Sequence, residues 1–232
     1  MASLISPTSL SRTVDAVNDA FFFGRTISRS DRNDVARWIA ERHAVPGAYG
    51  KLFGGFPREC QSGLRLFTGE RVTSASGRHI LGEESCRALL LLASRERSAA
   101  EALAQATTWL TTRLRLAELK VPARNDAGNY CCGRCTVGLW RNVVAGGLDR
   151  HSERLGLGLT RLRARRDGEG GWKTYPFWYT ALALTEMDHP DARAELAYAA
   201  DRLRAEARRP RRTGPYFERR QAVAIRAIKA LD

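Results

Sequence analysis

Residues 167–184 read DGEGGWKTYPFWYTALAL, a glycine-rich turn followed by a run of aromatic, small and aliphatic side chains. Within this run Tyr175, Tyr179 and Ala183 recur at intervals of four, the spacing that places side chains on one face of an α-helix. The pattern therefore predicts a turn that leads into an inner, largely apolar helix.

Three other segments of the chain repeat this pattern. When the segments are aligned on a small residue followed by an aliphatic one, the pairs are Ala88-Leu89, Gly138-Leu139, Ala183-Leu184 and Ala224-Ile225. Eight positions before the small residue stand Ile80, Tyr130, Tyr175 and Tyr216, and four positions before it stand Glu84, Arg134, Tyr179 and Arg220. Successive repeats are 50, 45 and 41 residues apart, a spacing typical of arrays of helical pairs.

Amphipathic helices are predicted between these apolar segments, because apolar residues recur there at spacings of three and four. They cover about 30–43, about 98–117, about 152 to the Asp167-Gly168 turn, and Pro190 to the arginine tract at 208–212. Few segments alternate with period two. We therefore predict an all-α class, with residues 1–232 forming a single domain built as an array of αα-hairpins. The array has inner and outer helix layers, as in a partial α/α toroid or a curved solenoid.

Residues 44–78 do not fit this array. Prolines and glycines exclude a long helix there, namely Pro46, Gly47, Gly50, Gly54, Gly55 and Pro57. We predict an irregular, ordered loop within the domain, with aromatic side chains packed beneath it.

Residues 167–172 and 176–184 together resemble one repeat of the α/α toroid of terpenoid cyclases and protein prenyltransferase β subunits. The shared features are a Gly-rich turn with an aromatic residue and an inner helix with Trp or Tyr and a ladder of small residues. The resemblance implies a similar arrangement of inner and outer helices. The Asp-x-Asp-Asp and Asp-Asp-x-x-Asp motifs of those enzymes are absent. The resemblance therefore implies a similar fold more strongly than a similar activity. A looser likeness in length, charge and organisation is to HEAT-like alkylpurine DNA glycosylases.

The charge of the chain indicates a polyanionic partner. It has 38 Lys and Arg against 25 Asp and Glu, a formal net charge of +13. The electrostatic field of this positive charge concentrates phosphate groups at the surface, and DNA is the partner that we predict. The predicted nucleic-acid contacts are the arginines of two concentrations and of the last repeat: Arg161, Arg165, Arg166, Arg208, Arg209, Arg211, Arg212, Arg219 and Arg220. Arginines at helix C-termini are also favoured by the helix dipole, so a solvated face is the other interpretation.

The aromatic positions of the repeats are the candidate substrate pocket. If the inner helices surround a concavity, it would hold Tyr130, Arg134, Tyr175, Trp178, Tyr179 and Tyr216. Aromatic rings beside guanidinium groups suit the stacking of bases and the binding of phosphate oxygens. The same set could hold an isoprenoid diphosphate, and the rings could equally be core residues.

Two carboxylates are the candidate catalytic residues. Glu84 shares its repeat register with Arg134, Tyr179 and Arg220, and Glu83 precedes it. Cleavage of an N-glycosidic bond needs one carboxylate, which activates water or stabilises the positive sugar, and a pocket for an extruded base. We therefore rank Glu84 first and Glu83 second. The alternative is that both glutamates pair with neighbouring arginines.

The cysteines allow three interpretations. Five cysteines, an odd number, argue against a disulfide framework. Cys132 and Cys135 form a Cys-x-x-Cys spacing beside Cys131, which could supply half of a zinc site, but His43, His79, His151 and His189 show no ligand spacing. A metal site would have to be assembled by the fold. Small cysteines also suit tight helix contacts, and a reactive thiol is the third reading. We predict packed cysteines, no metal and no cofactor.

The leading functional prediction is a DNA-binding helical-repeat protein of the DNA glycosylase type, which hydrolyses the N-glycosidic bond of a modified base. The alternatives are an isoprenoid-diphosphate transferase or cyclase and a non-catalytic scaffold for nucleic acid or protein. The absence of P-loop, dinucleotide-binding, His-Glu-x-x-His and Gly-x-Ser-x-Gly motifs argues against ATP-driven, nicotinamide-dependent and serine-hydrolase chemistry. Without a signal peptide or a long apolar run, we expect a soluble cytoplasmic protein that does not bind membranes.

Overall fold

The computed structural model describes residues 3–121, 126–210 and 213–231, with the side chain of Cys60 outside that description. The elements of these residues are α1 (Leu10–Phe22), α2 (Arg29–Ala40), α3 (Pro57–Ser62), β1 (Leu64–Arg65), β2 (Arg71–Val72), α4 (Ser76–Leu92), α5 (Arg97–Lys120), α6 (Gly133–Val144), α7 (His151–Arg163), α8 (Phe177–Glu186), α9 (Pro190–Tyr198), α10 (Ala200–Ala207) and α11 (Pro215–Lys229). The predicted all-α class is confirmed, since the described chain is predominantly helical.

Local sequence signals explain where several helices begin. The Ser9 hydroxyl caps α1 by accepting from the Arg12 backbone N–H, and Ser28 caps α2 in the same way through Asp31. Proline occupies the first turn of α9 and of α11, where its missing N–H leaves no helical hydrogen bond unmade. Helix α4 ends at Ala93, which adopts a left-handed conformation.

The amphipathic segments predicted from the sequence form α2, α5, α7 and the pair α9 and α10. The last of these differs from the prediction, because the expected single helix from Pro190 is divided at Ala199. The Ala199 backbone N–H bonds to the carbonyls of both Glu195 and Leu196, so the turn tightens there. Glu195 is fully buried at this point.

Residues 44–78 consist mostly of turns, but they also contain regular structure. Helix α3 and the antiparallel strands β1 and β2 lie within this segment, and α4 already begins at Ser76. As expected, aromatic side chains pack beneath it: Phe53 and Phe67 are buried, and Tyr49 stacks on His79.

The small residues of the four repeats lie in helix contacts. Ala88, Ala183 and Ala224 are fully buried in α4, α8 and α11. Gly138 on α6 lies so close to α4 that a Cβ atom would stand 2.5 Å from the Glu83 carboxylate. The repeat thus marks helices that approach one another closely, since a larger side chain would collide with the neighbouring helix.

Helix contacts link the repeat helices in chain order. Helix α4 packs against α1 and α6, α6 also packs against α8, and α8 packs against α11. On α11, Arg219 donates to Asp15 and Asp19 of α1, each at 2.8 Å, and so connects the last of these helices with the first. Along the described chain, none of the helices combines the length and the apolar character needed to span a bilayer.

Candidate functional site

Glu84, the first choice for a catalytic carboxylate, is buried in a network of polar side chains. Its Oε1 accepts from the Tyr179 hydroxyl and, at 2.5 Å, from Arg141 Nη1, while its Oε2 accepts from Asn18 Nδ2 at 3.0 Å. The cavity that reaches Glu84 holds about 30 Å³, room for a single water molecule. This cavity is too small for an extruded base. Through these hydrogen bonds Glu84 connects α4 with α1, α6 and α8.

Glu186 completes this network from the end of α8. Arg141 donates to its two carboxylate oxygens at 2.8 and 3.0 Å, and Arg87 donates to it at 2.8 Å. Burial alone would raise the pKa of Glu186, but the charges of Arg141 and Arg87 outweigh burial and hold that pKa below its ordinary value. The network therefore pairs two arginines with two glutamates inside the molecule.

Glu83, the second choice, has a different environment. Its side chain is fully buried, and neither carboxylate oxygen has a hydrogen-bond partner among the described residues. Burial, with a smaller contribution from Glu84, raises the pKa of Glu83 well above its ordinary value. A buried carboxyl without a partner is held in its neutral form.

The tyrosines of the repeats lie in separate surroundings. Tyr130 is 4 % exposed and stands parallel to His79, Tyr175 stacks on Trp140 at 5.8 Å, and Tyr179 is buried against Glu84. Tyr216 is half-buried and covers Gly69. Trp178 is half-buried and contacts the ring of Phe177. These rings do not form the shared wall that the repeat register predicts.

Part of the predicted arginine set lies on neighbouring backbone segments. Arg134 is exposed in the first turn of α6, where a Cβ atom on Gly133 would stand 2.6 Å from the Thr174 carbonyl oxygen. The backbone N–H of Lys173, the residue before Thr174, donates to the Arg165 carbonyl at 2.8 Å. Burial raises the pKa of Tyr175 to about 12, and the charges of Arg165 and Arg161 oppose this rise. We name Arg134, Arg161, Arg165 and Lys173 the basic rim.

The other predicted arginines are dispersed, and most of them have partners. Arg166 pairs with buried Glu195, Arg209 pairs with Glu206, and Arg220 donates to the Thr68 carbonyl. Arg219 is buried in its contacts with α1. Arg208 is exposed, and Arg211 and Arg212 lie outside the described residues. Within the basic rim, Arg161 pairs with Asp126.

Three cysteines and one histidine meet where α4 faces the start of α6. Cys132 is the N-cap residue of α6, Cys135 lies in its first turn, and their Sγ atoms are 3.6 Å apart. His79, Cys131 and Cys135 each offer a possible metal-ligand atom within 4.8 Å of the other two. We name His79, Cys131, Cys132 and Cys135 the Cys-His cluster. It contains the histidine that the sequence could not assign to the Cys-x-x-Cys motif.

The environment of His79 suits a metal ligand. Its ring stacks on Tyr49 with a centroid distance of 3.5 Å, and its Nδ1 is buried without a hydrogen-bond partner among the described residues. Burial lowers the pKa of His79 to about 4, so the imidazole is neutral near pH 7. Neutral imidazole is the form that binds metal ions.

The thiols of the cluster influence one another. Hydrogen bonding with Cys131 and Cys135 lowers the pKa of Cys132. Cys86, in contrast, is fully buried apart from the cluster, and burial raises the pKa of its thiol. The described cysteines form no disulfide.

His79 stands 52 residues before Cys131, so no local spacing in the sequence links it to the Cys-x-x-Cys motif. Comparison of the chain with models of protein families, with curated proteins and with solved structures gives no match.

Proposed function

We propose that this protein binds the phosphate backbone of a nucleic acid through the basic rim. The observation that carries the proposal is the adjacency of the backbone segments that bear these four cations, at the start of α6, at the end of α7 and in the turn before α8, where Arg161 pairs with Asp126. Arg134, Arg165 and Lys173 are exposed. In a chain of net charge +13, such a surface attracts phosphates without reading base sequence.

The proposal is limited to binding. Glu84 is engaged by three donors, and Glu83 is sealed between α4 and α6, so neither carboxylate faces a cavity that could hold a base. The hydrolysis of a glycosidic bond, as predicted for these two residues, has no supporting cavity beside them.

We also infer that α1, α4, α6, α8 and α11 are the inner helices of a curved array of αα-hairpins. Their contacts in chain order and the ion pairs of Arg219 with α1 support this arrangement. The basic rim lies where two neighbouring units of the array adjoin. This position would allow cations from separate units to follow a phosphate backbone.

The test is a titration of fluorescently labelled single- and double-stranded DNA and RNA at several salt concentrations. Log affinity should fall linearly with log salt, by about 0.9 for each phosphate neutralised on duplex DNA. In the variant R134Q/R165Q/K173Q that slope should decrease by about two to three units, because three contacts are removed.

A charge-matched control separates the basic rim from the overall charge. Arg29, Arg58 and Arg95 are exposed and lie on α2, on α3 and before α5. The variant R29Q/R58Q/R95Q loses the same charge and should keep the salt slope of the wild type. An equal decrease of the salt slope in both variants would contradict binding through the basic rim. Absence of binding at low salt would contradict the proposed function.

A further inference from the structure

We propose that the Cys-His cluster binds one zinc ion, with His79, Cys131, Cys132 and Cys135 as its ligands. This site is separate from the proposed phosphate contacts, although Arg134 stands between two of its cysteines in the chain. It would join α4 to the first turn of α6, two helices that already pack against each other.

The distances between the side chains fit a tetrahedral ion. Two sulfur ligands, each about 2.3 Å from zinc, lie about 3.8 Å apart in a tetrahedron. The Sγ atoms of Cys132 and Cys135 are 3.6 Å apart, and the ligand atoms of His79, Cys131 and Cys135 lie mutually within 4.8 Å. Three ligand atoms are thus already mutually close, and Cys132, whose Sγ lies beside that of Cys135, would turn its thiol toward them as the fourth ligand.

The donor set is also characteristic. Three cysteines and one histidine form one of the common ligand sets of structural zinc, and thiolates favour zinc over magnesium or calcium. A Cys-x-x-Cys pair at the start of a helix has the ligand spacing of such sites.

Some of the unsatisfied buried polar atoms of the described residues lie in and beside the cluster. Among them are His79 Nδ1, the Tyr130 hydroxyl and both carboxylate oxygens of Glu83, one helical turn after His79. Buried polar groups without partners are uncommon, and an ion or ligand is one accepted explanation. Tight packing of cysteines alone would leave His79 Nδ1 without a partner.

The first measurement is the metal content of the purified full-length chain after extensive buffer exchange, together with its intact mass. We expect about one zinc ion per chain. Replacement by cobalt should give the visible absorption of a tetrahedral ion and a thiolate charge-transfer band. A metal-free protein that fails to take up cobalt would overturn the proposal. So would a metal-free protein whose mass is lower by two hydrogens, which reveals a disulfide.

Variants locate the site. C135S and H79Q should weaken zinc binding by at least about tenfold, measured in competition with a chromogenic chelator. C86S removes a buried thiol outside the cluster and should leave zinc affinity unchanged. If C135S does not fold, the decisive variant is H79Q, provided that its helical circular dichroism equals that of the wild type. Equal affinity in wild type and H79Q, or loss of zinc in C86S alone, would overturn the assignment.

Discussion

His79 and Cys135 place possible ligand atoms within 4.8 Å of each other, although they belong to different repeats and different helices. Helix α4 contributes the imidazole, the first turn of α6 contributes the Cys135 thiol, and Cys131 and Cys132 directly precede α6. A bound ion would therefore link α4 to α6, and its removal should lower stability and act on Arg134, which lies between two of the cysteines in the chain.

Removal of zinc should lower the thermal stability of the wild-type chain. An ion that binds only the folded state stabilises it by about 4 kcal/mol when free zinc exceeds the dissociation constant about a thousandfold. We expect a chelator to lower the Tm of wild type and of C86S, and added zinc to restore it. C135S should start near the lower Tm and respond little, and a chelator effect of full size in C135S would contradict this prediction.

The metal-free protein should lose stability as the pH falls from about 6.5 to about 4. The pKa of His79 is lowered to about 4 by burial, so the unfolded chain takes up a proton at a higher pH than the folded chain does. Stability consequently rises with pH in this window. With an allowance for the partial exposure of the ring, the free energy of unfolding should fall by about 2 kcal/mol over this window. Urea unfolding at pH 7 and pH 5 should show a smaller pH effect in H79Q than in wild type, while the control H151Q should behave as wild type.

Replacement of Glu84 by Gln should destabilise the fold. The change removes the negative charge that faces Arg141 inside the molecule, and loss of one partner of a buried ion pair costs about 3 kcal/mol or more. The control E101Q breaks an exposed pair with Arg97 and should change the free energy of unfolding by less than about 0.5 kcal/mol. A stable E84Q protein that lost a DNA-cleaving activity seen in the wild type would instead support the catalytic role.

Two helical glycines should respond in opposite directions to replacement by Ala. In α6, a Cβ at Gly138 would lie 2.5 Å from Glu83 Oε2, so G138A should cost about 1–3 kcal/mol through overpacking. In α7, a Cβ at Gly156 meets no atom within 4 Å, so G156A should stabilise by up to about 1 kcal/mol. Urea unfolding of both variants checks the prediction, and equal effects would contradict the close contact of α4 with α6.

The helices themselves were largely predictable because their signals are local. The apolar stripe from Leu103 to Ala117 indicates α5, and Pro190 indicates the start of α9. The break at Ala199 was not predicted, since the apolar periodicity continues through it. The short strands β1 and β2 were also missed, because two residues each are too few for a period to be recognised.

The candidate site was predictable only in part. The repeat register aligns Tyr179 with Glu84 as candidate pocket residues, and the structure joins the two side chains by a hydrogen bond inside the molecule. The register cannot show that Arg141 also reaches Glu84, or that Tyr175 turns toward Trp140. Register gives the height of a side chain along a helix, whereas its neighbours depend on how the helices are rotated and spaced.

The amino-acid sequence by itself determined the helical class, the repeated small residues, the positive charge and the Cys-x-x-Cys motif. These properties depend on composition and on intervals of a few residues. Only the tertiary structure decided that His79 meets the cysteines, that Glu84 is engaged inside the molecule, and that Arg134, Arg165 and Lys173 lie on neighbouring backbone segments. Contacts between distant parts of a chain are set by how helices approach one another, and no local interval encodes that geometry.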